Sequence, residues 1–169
     1  MTEQDEKIHA WKNAMITTAK IIFAKDKELM PVAMLYVEGG QNLIIGTPFT
    51  NQKEKELSAS AIKKLVWEHK ASAVIFIYEG YTITLPKEEM NKIFNPDGSK
   101  IKPIKDVDGR KEVVIIVFET KDGKREILTI EIDETQNDKV LGLETKMDGW
   151  ENKLDGLFSN FFEVPSELN

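Results

Sequence analysis

The segment 71–79 is almost entirely apolar and constrains the fold more than any other part of the chain. It is far too short to cross a bilayer, and a strand with one wet face would alternate apolar and polar residues. The pattern therefore predicts a central β-strand that is covered on both faces. Further strands and packed helices must supply that cover.

Two hairpins are predicted to supply further strands. In the first, Gly39-Gly40 favours a two-residue turn that places Met34 opposite Ile45. Both faces of this hairpin are apolar, so we expect it inside the sheet rather than at an edge.

The second hairpin is expected over 113–120 and 125–132, with Asp122-Gly123 in its turn. That turn would place Val113 opposite Ile132. A polar break at 133–138 would then precede a last short strand near 140–145.

Helical spacing of apolar residues predicts helices over 6–24 and 52–69, the second with Asn51 as its N-cap. A short helix is expected at 86–94. The whole chain, 1–169, is predicted to be one α+β domain: a mostly antiparallel mixed sheet of about six to seven strands with three to four helices packed on it.

A C-terminal stripe of large apolar residues predicts one more helix, ending before Pro165. On a helix the stripe spans an arc of about 140°; its members are Met147, Trp150, Leu154, Leu157, Phe158, Phe161 and Phe162. It must be buried on the chain's own sheet or on another chain, and the sequence leaves both open. In the second case Trp150, Phe158, Phe161 and Phe162 form an interface.

Trp67 lies on the opposite side of the second helix from most of its apolar residues. A tryptophan in such a position covers a neighbouring loop of its own chain or anchors an interface, where tryptophan is enriched. Both alternatives stay open.

Composition excludes several classes of site. The chain has no cysteine, two histidines and a net charge of −6. Thiolate catalysis and Cys-ligated zinc are therefore excluded, and the sequence predicts neither a metal nor a cofactor. The acidic balance argues against nucleic-acid binding. The polar, acidic first residues and the absence of long apolar runs favour a cytoplasmic protein without membrane attachment.

Glu79 and His69 are weak candidates for catalysis. Glu79 ends the apolar strand, where burial would raise a carboxyl pKa, and His69 is expected to face a cleft beside that strand. Tyr78, Tyr81 and Arg110 would contribute to ligand binding, and the long loop 95–110 would act as a lid.

Two functions from different classes follow. The favoured hypothesis is an interaction or accessory domain that acts without catalysis, through a protein partner or as a homodimer. The alternative is a small enzyme or ligand-binding domain with its cleft near Glu79 and His69. The first requires fewer residues to be special.

Overall fold

The structure is a computed structural model that describes residues 1–83, 86–97, 99–101, 106–148, 158 and 160–165. In chain order its elements are α1 (Glu3–Asp26), β1 (Val32–Tyr36), β2 (Leu43–Gly46), α2 (Gln52–Glu68), β3 (Ala73–Thr82), a 3₁₀ helix (Lys87–Lys92), β4 (Lys111–Thr120), β5 (Arg125–Thr135) and β6 (Asp138–Asp148).

Six strands form one antiparallel sheet in the order β2-β1-β3-β4-β5-β6. Strands β2 and β3 both pair antiparallel with β1, so they run parallel to each other and α2 connects them across β1. The prediction of a central strand is confirmed, because residues 73–77 of β3 are fully buried.

The two faces of β3 belong to different cores. Ile75 and Ile77 pack in the cluster under α1, whose residues include Ile8, Ala19 and Phe23. Phe76 packs in the cluster under α2, which also contains residues of the C-terminal segment. The sheet therefore carries a helical layer on one face and a helix plus a C-terminal segment on the other.

The α+β class and the antiparallel sheet are confirmed, whereas the number of helices is not fully matched. The described residues contain two α-helices and the 3₁₀ helix, which starts after Pro86 where a short helix was expected. Of the predicted C-terminal helix, Met147 belongs to β6, residues 149–157 lie outside the described residues, and Phe158 and 160–165 form turns and irregular structure.

The predicted register of the first hairpin is wrong by one residue. Met34 pairs with Ile44. The connection, 37–42, is longer than the expected two-residue turn because β1 ends at Tyr36 and β2 begins at Leu43. The N–H of Val37 instead donates to Oδ1 of Asn42, at 3.0 Å. The expectation that the hairpin is internal holds for β1 only, since β2 is an edge strand.

The second hairpin is also shifted by one residue, so Val113 pairs with Glu131. The cause is its turn. The N–H of Gly123 donates to the carbonyl of Thr120 at 3.0 Å, and Gly123 has a φ of 92°. This is a three-residue loop, a type I turn followed by a left-handed glycine, and the extra residue moves every pair across it.

A third hairpin was missed because its turn contains no glycine. Gln136 and Asn137 both have positive φ, 48° and 69°, as a two-residue type I′ turn requires. The predicted polar break at 133–138 is therefore wrong: it is the end of β5 and the start of β6. Strands β3 and β4 pair without a register shift, including at Gly80.

The buried side of each helix includes a residue that the spacing of apolar residues does not predict. On α2 the Asn51 cap is confirmed. The larger Leu57 of this helix is 62% exposed, whereas the small Ala59 is buried. On α1 a lysine, Lys12, is buried because its Nζ lies 2.8 Å from the Glu126 carboxylate and 5.0 Å from the centre of the Phe118 ring. Charge pairing across layers cannot be read from helical periodicity.

Candidate functional site

A cavity of about 520 Å³ opens where α2 ends, which is within the range of small-ligand and side-chain pockets. Three segments that are distant in sequence form it: the end of α2, the turn between β4 and β5, and the C-terminal segment. Its lining residues are Lys63, Val66, Trp67, Lys70, Ala71, Lys121, Phe161, Phe162 and Glu163.

The helix end is held by a Schellman motif. The N–H of Ala71 donates to the carbonyl of Val66 at 3.1 Å, and that of Lys70 to the carbonyl of Trp67 at 3.2 Å. Lys70 is the residue in the left-handed conformation, with a φ of 51°. Glycine usually occupies that position, since a side chain there costs about 1 kcal/mol.

Trp67 follows Val66 directly on α2, but the two side chains have opposite environments. Val66 is 4% exposed in the core, whereas Trp67 is 52% exposed at the cavity. A turn of about 100° per residue separates them. Burial of Val66 against the sheet therefore turns the indole toward solvent.

The opposite wall depends on Glu119, a buried carboxylate at the end of β4. It accepts hydrogen bonds from the backbone N–H groups of Asn160, at 2.7 Å, and Phe161, at 2.9 Å. These bonds fix the C-terminal segment on the sheet. The ring of Phe158 stacks on Phe76 with centroids 4.2 Å apart, and Phe162 reaches the cavity.

The turn between β4 and β5 supplies Lys121. Its backbone N–H donates to the carbonyl of Ser72, the residue directly before β3, at 2.9 Å. This bond ties the turn to the connection between α2 and β3, which also contains Lys70.

The electrostatics of the cavity oppose those of the whole chain. Among the described residues, its lining includes three lysines and a single carboxylate, Glu163, which lies 4.0 Å from Nζ of Lys63. Lys70 and Lys121 have no ion-pair partner among the described residues. A chain of net charge −6 thus presents a locally positive site.

The predicted interface residues differ in how far the structure buries them. Phe158 and Phe161 are 8% and 0% exposed and pack in the chain's own core. For these two residues the structure shows burial on the chain's own sheet. Phe162 is half-buried and Trp67 exposed at the cavity, and Trp150 lies outside the described residues.

The structure does not bring Glu79 and His69 together. His69 is the exposed C-cap of α2, and α2 packs on the face of the sheet that carries Tyr78. The next residue of the regular strand, Glu79, points to the other face and accepts the N–H of Leu29 at 2.6 Å. Burial raises the pKa of Tyr78, whose ring lies 5.5 Å from that of Phe158.

The other ligand-binding candidates do meet. The guanidinium carbon of Arg110 lies 5.6 Å from the centre of the Tyr81 ring, beside a second cavity of about 570 Å³. The lining of that cavity also includes the carboxylates of Glu112, Glu131, Asp133 and Glu134. Of the predicted lid, 95–110, residues 98 and 102–105 lie outside the described residues, and Lys100 forms a β-bridge with Phe94.

Glu79 has a raised pKa. Burial is the largest cause and the carboxylates of Glu112 and Glu28 add to it, while the Leu29 N–H and Lys139 oppose it. A raised pKa means that the native state binds this proton more tightly than the unfolded chain does. Nowhere in the described ranges do three His, Asp or Glu side chains gather as metal ligands. No described helix has the length and apolar character needed to cross a membrane.

Glu79 should make stability fall as pH rises. Because folding raises its pKa, this contribution is present below the ordinary value of 4.5 and is lost as pH rises through the native value. In Glu79→Gln the amide oxygen can still accept the Leu29 N–H, so we expect this part of the pH dependence to disappear. Urea unfolding between pH 4 and 8 measures it, and a variant that loses stability with pH as steeply as the wild type contradicts it.

Replacing the Glu119 carboxylate should loosen the C-terminal wall. In Glu119→Gln only one oxygen can accept, and the amide NH₂ faces an N–H donor, so we expect a loss of about 1–3 kcal/mol in the free energy of unfolding. Hydrogen exchange should be faster at the N–H groups of Asn160 and Phe161. Glu88→Gln, a change of an exposed carboxylate, is the control. Unchanged protection of both amides in Glu119→Gln would show that the wall does not depend on this carboxylate.

Comparison with known proteins identifies the family. Residues 1–155 match the family model described as bacteriophage lambda protein ea47, which covers most of the chain, so the chain belongs to this family. The matched part includes α2 and the β4–β5 turn of the cavity. No curated protein matches the chain, and no solved structure does.

Proposed function

We propose that this member of the bacteriophage lambda ea47 family is a protein-interaction domain that acts without catalysis and binds its partner at the Trp67 cavity. The observation that carries the proposal is the position of Trp67, whose indole is 52% exposed at the rim of a concave site. Exposed aromatic residues are common singly, but an exposed tryptophan at a preformed cavity has the features of an interface anchor.

The surroundings of Trp67 support binding rather than chemistry. The indole and the ring of Phe162 provide apolar area, and cations surround it. The described residues that line the cavity include no histidine, hydroxyl nucleophile or pair of carboxylates that could transfer a proton or attack a substrate. These groups fit the recognition of a partner side chain.

The alternative is a ligand-binding domain at the second cavity, supported by the contact of Arg110 with Tyr81 in its lining. It is the weaker proposal because His69, its second catalytic candidate, lies on the other side of the sheet. A ligand of this cavity would perturb the NMR signals of Tyr81 and leave those of Trp67 unchanged.

Trp67→Ala should weaken partner binding strongly without unfolding the chain. Tryptophan anchors at interfaces contribute about 2 kcal/mol or more, so the dissociation constant should rise about 30-fold or more. The matched control is Leu57→Ala, which removes another exposed apolar side chain from the same helix. Proteins retained from an extract by the wild type are purified, and their affinities for the three chains are measured. Equal affinity for wild type and Trp67→Ala contradicts the proposal.

The left-handed backbone conformation of Lys70 should lower the stability of the fold relative to glycine at this position. Lys70→Gly removes the side chain from a left-handed position, so the free energy of unfolding should stay the same or rise by up to about 1 kcal/mol. Lys70→Ala removes the same ammonium group but keeps the backbone cost, so it should be the less stable variant. Urea denaturation of the two variants measures the difference. A glycine variant less stable than the alanine variant would show that the lysine backbone is not strained.

A further inference from the structure

We propose that the Trp67 cavity binds an acidic segment of a protein partner, in which carboxylates lie next to an aromatic or branched aliphatic side chain. This inference rests on the proposed function and adds the chemistry of the occupant. It follows from which charges in the cavity are paired and which are not.

Two cations of the cavity lack an ion-pair partner within the described part of the chain. Lys70 and Lys121 line the same space, yet neither forms an ion pair with any of the residues that the structure describes. They come from the helix end and from the hairpin turn, so they approach the cavity from two elements. An occupant with two carboxylates would complete both pairs.

The backbone of Lys70 makes that position informative. The Schellman motif would accept glycine at lower cost, yet the chain has a lysine there with a φ of 51°. Residues kept in a costly conformation cluster at binding sites, where the side chain serves a purpose other than stability. Lys27, the left-handed C-cap of α1, uses its ammonium group in an ion pair with Asp138 at 2.9 Å. Among the described residues Lys70 has no such pair, and the gain visible there is a cation at the cavity.

The chain supplies an example of the expected contact. The carboxylate of Glu163 lies in the cavity lining, 4.0 Å from Nζ of Lys63. The cavity therefore already holds a carboxylate against one of its lysines. A partner carboxylate would make the same contact with the remaining two, and the negative charge of Glu163 in the same lining would repel it.

The apolar groups define the rest of the occupant. Val66, Ala71 and Phe161 are buried, and Trp67 and Phe162 present their rings to the space between them. An apolar side chain placed there is removed from water on several sides.

Charge also separates a short acidic segment from a nucleic acid. A polyanion needs an array of cations along its backbone, whereas this cavity offers three lysines on a chain of net charge −6. An acidic segment with two or three carboxylates matches that number. Lysine ammonium groups act as point charges and pair with carboxylates without the planar geometry that arginine requires.

Selection from random peptides tests the proposal. Eight-residue peptides displayed on yeast are selected for binding to the full chain and counter-selected against Trp67→Ala. We expect the retained peptides to be enriched in Asp or Glu within three positions of an aromatic or branched aliphatic residue. A synthetic peptide from this set is then used as the probe for affinity measurements.

Matched variants identify the charges involved. Lys70→Gly and Lys121→Ala should each weaken binding of the probe peptide about 2- to 5-fold, the effect of losing one ion pair of an exposed lysine. Lys53→Ala, which removes a lysine at the other end of α2, should leave it unchanged. Glu163→Gln should strengthen binding about twofold or more, because a charge that repels the partner carboxylates is removed from the lining. Added salt should weaken binding to the wild type more than to Lys70→Gly.

Other outcomes overturn the inference in distinguishable ways. Peptides that require Trp67 but show no acidic enrichment, or that bind Lys70→Gly and Lys121→Ala as well as the wild type, refute the acidic segment and leave the proposed function standing. A selection in which no peptide distinguishes wild type from Trp67→Ala, together with equal partner affinities, removes both. Self-association that Trp67→Ala abolishes would assign the cavity to a second copy, and binding of adenosine monophosphate that Lys70→Gly abolishes would assign it to a small anion.

Discussion

The carboxylate of Glu119 is the interaction on which the second face of the sheet and the cavity both depend. A buried carboxylate is tolerated only when hydrogen bonds replace its water, and Glu119 obtains two from the backbone of Asn160 and Phe161. The dependence is mutual, because those N–H groups would otherwise be buried without an acceptor. The same two bonds hold Phe158 on Phe76, close the core under α2, and place Phe162 and Glu163 in the wall of the cavity.

The position of Trp67 follows from packing several residues away. Helix α2 buries Ala59, Ile62 and Val66, and the small Ala59 is turned toward the sheet in place of the larger Leu57. Once that face is fixed, the geometry of a helix leaves Trp67 no place in the core. The exposed indole is thus a consequence of how α2 lies on the sheet, and the Schellman motif then ends the helix beside it.

The sequence predicted elements well where a local pattern determines them. The apolar run of β3 and the Asn51 cap are confirmed because burial on both faces and capping leave signals within a few residues. The register of the second hairpin was wrong by one residue because a glycine turn of two residues and one of three share almost the same letters, and the first hairpin has a longer connection, 37–42. The cavity itself was beyond prediction, since α2, Lys121 and Glu163 meet only through the sheet and the bonds of Glu119. An available signal for the cavity was Glu119, an acid near the end of an apolar strand. In the sequence, such an acid looks the same as one whose side chain simply reaches solvent.

Lys70 is the place where local rules and the observed residue disagree most clearly. The capping hydrogen bonds fit the end of α2, yet the residue in the left-handed position is one that raises the cost of that conformation. In most of the chain, local preference and packing agree: Thr2 caps α1, Asn51 caps α2, and Gly123 occupies the left-handed position of its turn. Lys27, the C-cap of α1, is a second lysine in the left-handed region, with a φ of 61°, and its ammonium group pairs with Asp138 at 2.9 Å. Glycine would serve fold stability better than lysine at position 70, so the backbone gives no reason for the lysine there. Under the proposed function the Lys70 ammonium group supplies a reason, because it would pair with a carboxylate of the partner.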